Sequence, residues 1–327
     1  MKKISIVLSI IIAIAILLGI LFGKFVSSKL SNLNKKELDE TDLSVNKEVY
    51  SLVSDHLTKS EYKDVKNVVL FGSDSESIGD PPQGRSDTII IISINPKFKS
   101  LKMISIPRDT YVEIEGHGKN KINHAYAWGQ EQLAIKTINY NFGLNLTEYI
   151  SIDFSGLIHI INDIGGIELQ ISKAEMDFIN MESKIAYNAS GNTPKKITSY
   201  GTVKLDGEQA LTHSRNRTVG DDFARAERQR EVLQAIMNKI SKMDIGEIMS
   251  MLDMFLKEVT TNINVTEYIG TITEILLNKN TYLNNVISAQ VPSKDIAKGE
   301  YINGIYYFVP SDKEKMKEEI IEYLYLN

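Results

Sequence analysis

The chain has 327 residues, 43% of them hydrophobic and 24% charged, with a formal net charge of -5 and no cysteine. That length and hydrophobic content suffice for a sizeable core in one large domain or two small ones, and they argue against extended disorder. The missing cysteine excludes disulfides and thiolate metal sites, and the acidic balance fits poorly with a nucleic-acid partner.

Ile4 to Gly23 is a run of twenty residues without a charge. At about 1.5 Å per residue it spans the ~30 Å hydrocarbon core of a bilayer, and it is longer than the apolar region of a cleavable leader. Residues 1–24 therefore read as a cytoplasmic tip and an uncleaved transmembrane signal-anchor. Lys2 and Lys3 precede the run while Lys24, Lys29, Lys35 and Lys36 follow it, so lysine counting leaves the orientation open. Residues 25–64 are polar and read as a stalk, which leaves 65–327 as the folded domain.

Asn67 to Phe71 is a short apolar run ended by Gly72-Ser-Asp74, the pattern of a buried strand entering a loop. Thr88 to Ile94 is apolar on both faces, as a central strand is. A turn over Asn95 to Ser100 returns the chain as a third strand, Leu101 to Ile106, closed by Pro107-Arg108-Asp109. A helix is expected from about Gln130 to Asn141 with Gly143 as its stop, then a strand from Tyr149 to Phe154 and a helix from Ser155 to Asp163 ended by Gly165-Gly166. Ile167 to Ile171 is strand-like, residues 180 to 200 form a polar excursion, and Asp206-Gly-Glu-Gln209 has the form of a capping box. Further helices are expected over 245–258, 266–278 and 313–326, with strands at Val286–Val291 and Tyr306–Val309. Strands interleaved with helices throughout give an α/β fold, a mixed central sheet flanked by helices and preceded by one transmembrane helix.

The most unusual stretch is Ser214 to Arg230, with arginines at 215, 217, 225, 228 and 230 in an acidic protein. In an extended segment Arg215 and Arg217 point to the same side. From Asp222 the pattern turns helical, with Asp221 or Asp222 as N-cap, and Arg225, Arg228 and Gln229 share one face near the helix start. Forked guanidiniums beside a helix N-terminus suit phosphate or carboxylate. The competing reading is a solvated basic face paired with Glu227 and Glu231.

Three strand ends carry further candidates: Asp74, then Arg85 with Asp87, then Arg108 with Asp109. If the first two strands are antiparallel, Asp74 and Asp87 meet at one edge of the sheet. Two carboxylates with no nearby cysteine or histidine suit a hard cation, Mg2+ or Mn2+, against the plainer reading of turn caps and a pair with Arg85. Arg108 fits either an ion pair with Asp109 or a phosphate clamp. A metal with several arginine clamps is equipment for phosphoryl transfer, and no phosphate-loop or kinase signature points to a nucleotide.

In order along the chain, Asn67–Asp74, Gly84-Arg-Ser-Asp-Thr88, Ser105-Ile-Pro-Arg-Asp109, Lys121-Ile-Asn-His-Ala125, Asp163-Ile-Gly-Gly166, Leu205-Asp-Gly-Glu-Gln-Ala210 and Arg215-x-Arg217 to Gln229 resemble the LytR–CpsA–Psr family. The resemblance covers Val65 to Met243. It implies a membrane-anchored, extracytoplasmic enzyme of mainly Gram-positive bacteria that moves a glycopolymer, of teichoic acid or capsule type, from undecaprenyl pyrophosphate onto peptidoglycan as a phosphodiester. On that resemblance Asp74 and Asp87 hold Mg2+ against the pyrophosphate. Arg85, Arg108, Arg215, Arg217 and Gln229 bind its oxygens, with Arg225, Arg228 and Lys121 in the same set, and Asp109 or Asp222 takes the acceptor proton. An apolar channel for the lipid is expected between the sheet and helices such as 130–141 and 233–240. The family usually reads Asp-x-Gly-Arg at the helix start, where this chain has Asp222-Phe-Ala-Arg225. The alternatives are a polyprenyl-pyrophosphate phosphatase and a non-enzymatic protein that binds or regulates envelope glycopolymers.

Overall fold

The computed structural model describes residues 34–74, 84–219, 222–284 and 286–326. Its strands are β1 (Asn34–Lys35), β2 (Lys66–Ser73), β3 (Ser86–Asn95), β4 (Ser100–Ser105), β5 (Tyr111–Ile114), β6 (Gly118–Lys121), β7 (Glu148–Asp153), β8 (Ile167–Ile171), β9 (Gly201–Leu205), β10 (Val259–Thr261), β11 (Val286–Gln290), β12 (Ala297–Ile302) and β13 (Ile305–Pro310). Seven of them form one mixed sheet in the order β1-β10-β7-β2-β3-β4-β11, and β5-β6, β8-β9 and β12-β13 are separate pairs. The central strands β2, β3 and β4 run antiparallel to one another, while β7 lies parallel to β2 and β11 parallel to β4.

Helices cover both faces. On one, Val69, Phe71, Ile89, Ile91 and Ile104 pack against Ala134, Ile135 and Ile138 of the helix Asn123–Phe142 and against Met316, Ile320 and Leu324 near the C-terminus. On the other, Ile90, Leu101 and Met103 meet Leu233 and Met237 of the helix Asp222–Ser241, called the arginine helix below. This is the α/β architecture expected from the alternation of strands and helices. The capping box forms as its sequence requires, with Asp206 Oδ1 accepting from the Gln209 N–H and Gln209 Oε1 from the Asp206 N–H, both at 3.1 Å.

The structure departs from the sequence reading in three places. Residues expected to form a stalk belong to the folded body: Leu43, Val49, Val53 and Leu57 are buried in the main core, and β1 pairs with β10. The first half of the polar excursion, residues 180 to 190, belongs to the helix Lys173–Ser190, whose Ser172 and Glu175 make a reciprocal cap, while 191 to 200 is irregular. The helix expected from about Gln130 does start there, after a break at Gly129 and Gln130 (Gln130 takes φ 54° and ψ -148°), but a further helical segment from Asn123 precedes it. Among the described residues no helix is long and apolar enough to cross a membrane, and the span expected over Ile4–Gly23 lies outside them.

One buried charge tests the packing between β4 and the C-terminus. Lys102 is fully buried, and its Nζ donates to the Leu324 carbonyl at 3.4 Å. Burial pushes its pKa down from 10.5 to about 8. The unfolded chain therefore binds the extra proton between pH 8 and 10.5, so stability gains from raising the pH across that window and the penalty is complete below it. A fall from 10.5 to about 8 corresponds to about 3 kcal/mol. Replacing Lys102→Met is expected to raise the urea midpoint at pH 7, with the difference from the parent shrinking to nothing by about pH 10.5; an advantage that stays constant over the series refutes a charged buried lysine.

Candidate active site

The site begins at an irregularity in the sheet. β2 and β3 pair Gly72 with Thr88 but Ser73 with Ser86, so Asp87 is the extra residue of a β-bulge. Bulges re-aim side chains, and this one puts Asp87 on the same side as Thr88, toward the arginine helix. Gly72 permits the close approach, because a Cβ there would stand 2.9 Å from Thr88 Cβ. Just beyond, the Arg85 N–H donates to Asp74 Oδ1 at 2.5 Å and the Asp74 N–H to the Arg85 carbonyl at 3.2 Å. Asp74 and Asp87 therefore share one end of the β2-β3 pair, as the antiparallel reading requires.

Asp87 is held from two directions. Its Oδ1 lies 2.5 Å from Arg108 Nη1 and its Oδ2 2.9 Å from Arg225 Nη2. Burial acts to raise its pKa, but Arg225 and Arg108, with Arg217 behind them, outweigh burial and hold the carboxyl below its ordinary value. The chain of charge continues through Arg108 Nε to Asp109 Oδ2 at 3.3 Å and from Asp109 Oδ1 to Lys121 Nζ at 2.5 Å. Three cations thus share two carboxylates, an excess suited to an anion. Arg108 thus pairs with both Asp87 and Asp109. Arg108, Asp87, Arg225 and Asp109 line an open cleft with Gln229, Ser105, Gln290, Tyr306 and Phe308.

A second cavity adjoins the first. Leu70, Ile90 and Ile152 of the sheet face Leu157, Val232, Leu233 and Ile236 across a small apolar cavity of about 70 Å³, and Gln229 lines both cavities. Of the two helices expected to border a lipid channel, only the arginine helix lines this apolar cavity. The face toward 130–141 is closed by Ala134, Ile135 and Ile138, each at most 2% exposed.

The other arginines divide. Arg217 is exposed and acts on Asp87 through its charge. Arg215 does not sit in an extended segment: it caps the helix Gly207–Ser214 with φ -94° and ψ -3°, and its guanidinium lies 4.6 Å from the Phe154 ring centroid. Asn216 then closes a turn, its Oδ1 accepting from the Thr218 and Val219 N–H groups. Arg228, expected among the pyrophosphate ligands, is a strut: it donates to Glu175 Oε1 at 2.7 Å, to the Asn216 carbonyl at 3.2 Å and to the Val219 carbonyl. Its three nitrogens fix the loop that follows Arg215. The Asp222 side chain lies outside those described. At the rim, burial and the charges of Arg85 and Lys121 push the His124 pKa below its ordinary value, and His117 stacks on Trp128 at 4.1 Å. Sequence reasoning missed Ser105, Gln290, Tyr306 and Phe308, since strand ends that meet only through the β4-β11 pairing and a remote hairpin leave no local pattern.

Residues 24–321 match the sequence profile of the LytR_cpsA_psr family. The chain is 34% identical over 261 residues to the polyisoprenyl-teichoic acid–peptidoglycan teichoic acid transferase TagU of Oceanobacillus iheyensis, covering 77% of this chain and 73% of that protein. It is similar to a solved structure of TagT bound to LI-WTA, with TM-score 0.66 and 27% identity over 89% of this chain and 99% of that one. A second structure of TagT, with bound octaprenyl pyrophosphate lipid, gives TM-score 0.62 and 27% identity over the same shares.

The pairing of Asp87 with two mostly buried guanidiniums has a stability signature. A carboxylate whose folded pKa is depressed contributes stability above its unfolded value, near 3.8, and loses it as pH falls through the folded value. Asp87→Asn leaves Arg108 and Arg225 facing each other without the shared anion, and is expected to cost about 3 kcal/mol at pH 7. Urea unfolding of both proteins should show the gap closing below pH 3.8; a gap independent of pH would mean that the lost interaction is not ionic.

Proposed function

This chain belongs to the LytR_cpsA_psr family, and from that premise we propose that it moves an anionic glycopolymer of the teichoic acid type from a polyprenyl pyrophosphate carrier onto peptidoglycan. The observation that carries this reading is the junction at Gln229, where a cleft lined by Arg108 and Arg225, with Lys121 and Arg217 close by, adjoins an apolar cavity. A pyrophosphate joined to a long hydrocarbon needs both environments side by side. The relatives named as teichoic acid transferases, and the TagT structure named with octaprenyl pyrophosphate, support the same substrate class.

In the proposed reaction a hydroxyl oxygen of the peptidoglycan sugar attacks the phosphorus nearest the glycan. A new P–O bond forms, the bond to the bridging oxygen breaks, and polyprenyl phosphate departs with the electron pair while the hydroxyl proton passes to a base. Arg217 and the Arg108–Asp87–Arg225 bridge set the positive field in which this charge develops, with Gln229 donating beside them. Water is kept from the lipid side by Leu233, Val232 and Ile236.

The expected Mg2+ or Mn2+ suits the donors present. Such ions commonly take one or two carboxylates and complete their shell with substrate phosphate oxygens and water. Asp74 and Asp87 supply two at one sheet edge, and among the described residues no group of three or more acidic or histidine side chains converges to hold a cation alone. When bound, the ion would neutralise charge on the phosphoryl oxygens. The anchor proposed at Ile4–Gly23 would hold the cleft, outside the cell, beside a carrier that stays in the bilayer.

The test uses the full chain in detergent with a short glycan on polyprenyl pyrophosphate, peptidoglycan oligomers, and Mg2+ or a chelator. A glycan–peptidoglycan adduct is expected from the parent, falling at least 100-fold with chelator, with Asp74→Ala and with Arg217→Glu, while circular dichroism stays unchanged. Full transfer by Arg217→Glu defeats the assignment of the site. Release of lipid phosphate without adduct would instead make the protein a pyrophosphatase.

A further inference from the structure

Past the arginines the cleft has a lining that phosphate binding does not explain. Ser105 ends β4 and Gln290 ends β11, and the two are cross-strand partners in the parallel register. Ser105 is 2% exposed, and neither its Oγ nor Gln290 Nε2 has a hydrogen-bond partner among the described residues. A buried hydroxyl and amide left unpaired lose their hydration without return, so a site that keeps both is built for a ligand's polar groups. Tyr306 of β13 borders the same cleft, and its ring lies across β12, where a Cβ on Gly299 would approach the ring to 2.7 Å. The hairpin is fixed to the site by the Phe308 N–H, which donates to the Asp109 carbonyl at 2.9 Å. An aromatic surface beside an amide and a hydroxyl is the equipment for a sugar, apolar on its C–H face and polar at its rim.

We propose that Ser105, Gln290 and Tyr306 seat the acceptor sugar and turn its hydroxyl toward the phosphorus. This rests on the transferase reading. The direction comes from the sheet face beneath the arginine helix, which is apolar at Ile152, Leu70 and Ile90 and polar at Ser105 and Gln290, with Gln229 at the boundary. In a phosphoryl transfer the entering and leaving oxygens lie in line on opposite sides of the phosphorus. The leaving group carries the hydrocarbon and so lies on the apolar side. The attacking hydroxyl therefore enters from the polar side, where Ser105 and Gln290 wait. The three are positioning residues, and none exchanges a proton with substrate.

The experiment measures transfer kinetics in the full-length protein and, separately, calorimetric binding of a peptidoglycan-derived disaccharide repeat and of polyprenyl pyrophosphate. Gln290→Ala and Ser105→Ala are expected to raise the acceptor KM at least 10-fold and weaken saccharide binding equally, with carrier affinity held within 2-fold. Ser105→Ala should melt no lower than the parent, since it removes an unpaired hydroxyl. Unchanged acceptor KM and saccharide binding in both variants overturn the proposal, as does a matching loss of carrier affinity, which would move the pair to the donor side. Saccharide binding that depends on Gln290 in a protein forming no adduct would leave the subsite standing and remove the transferase reading.

Discussion

Asp87, bridging Arg108 at the end of β4 and Arg225 at the start of the arginine helix, is the interaction on which the site depends. It joins the sheet to the helix that covers it at the point where cleft and channel meet. Two guanidiniums this close repel each other unless an anion stands between them, and a buried anion is tolerated only when paired. The bulge at Asp87 supplies the anion on the correct face, and Gly72 lets the strands approach closely enough to form it. Arg228 extends the same logic by tying the loop that carries Arg217 to the helix and to Glu175.

Much of this geometry could be read along the chain because the groups sit at consecutive strand ends. Antiparallel pairing of β2, β3 and β4 follows from short apolar runs separated by turns, and it brings Asp74, Arg85, Asp87 and Arg108 together without further assumptions. The bulge could not be foreseen, since it is a one-residue slip in register between strands whose apolar patterns tolerate either alignment. Arg228 as a strut was equally hidden. Its carboxylate partner, Glu175, lies on a helix whose polar exposed face makes it look like a surface excursion.

The same dilution explains residues 34–64. Leu43, Val49, Val53 and Leu57 are buried among many charged neighbours, so average composition suggests a stalk while four side chains reach the core. Gln290 carries no signal at all, and Ser105 none beyond the motif it opens, until β11 is placed beside β4. Local pattern locates chemistry when chain order and spatial order coincide, and fails where a crossover joins distant segments.

The placement of β1 has a consequence for reach. The first described strand begins at Asn34, so a tether of ten residues would join it to the end of the proposed span at Gly23. Fully extended, that tether measures about 35–40 Å. With the proposed anchor in the bilayer, such a tether would hold the cleft close above the membrane. Under the proposed function, a cleft held there would reach acceptor strands near the membrane before those farther out.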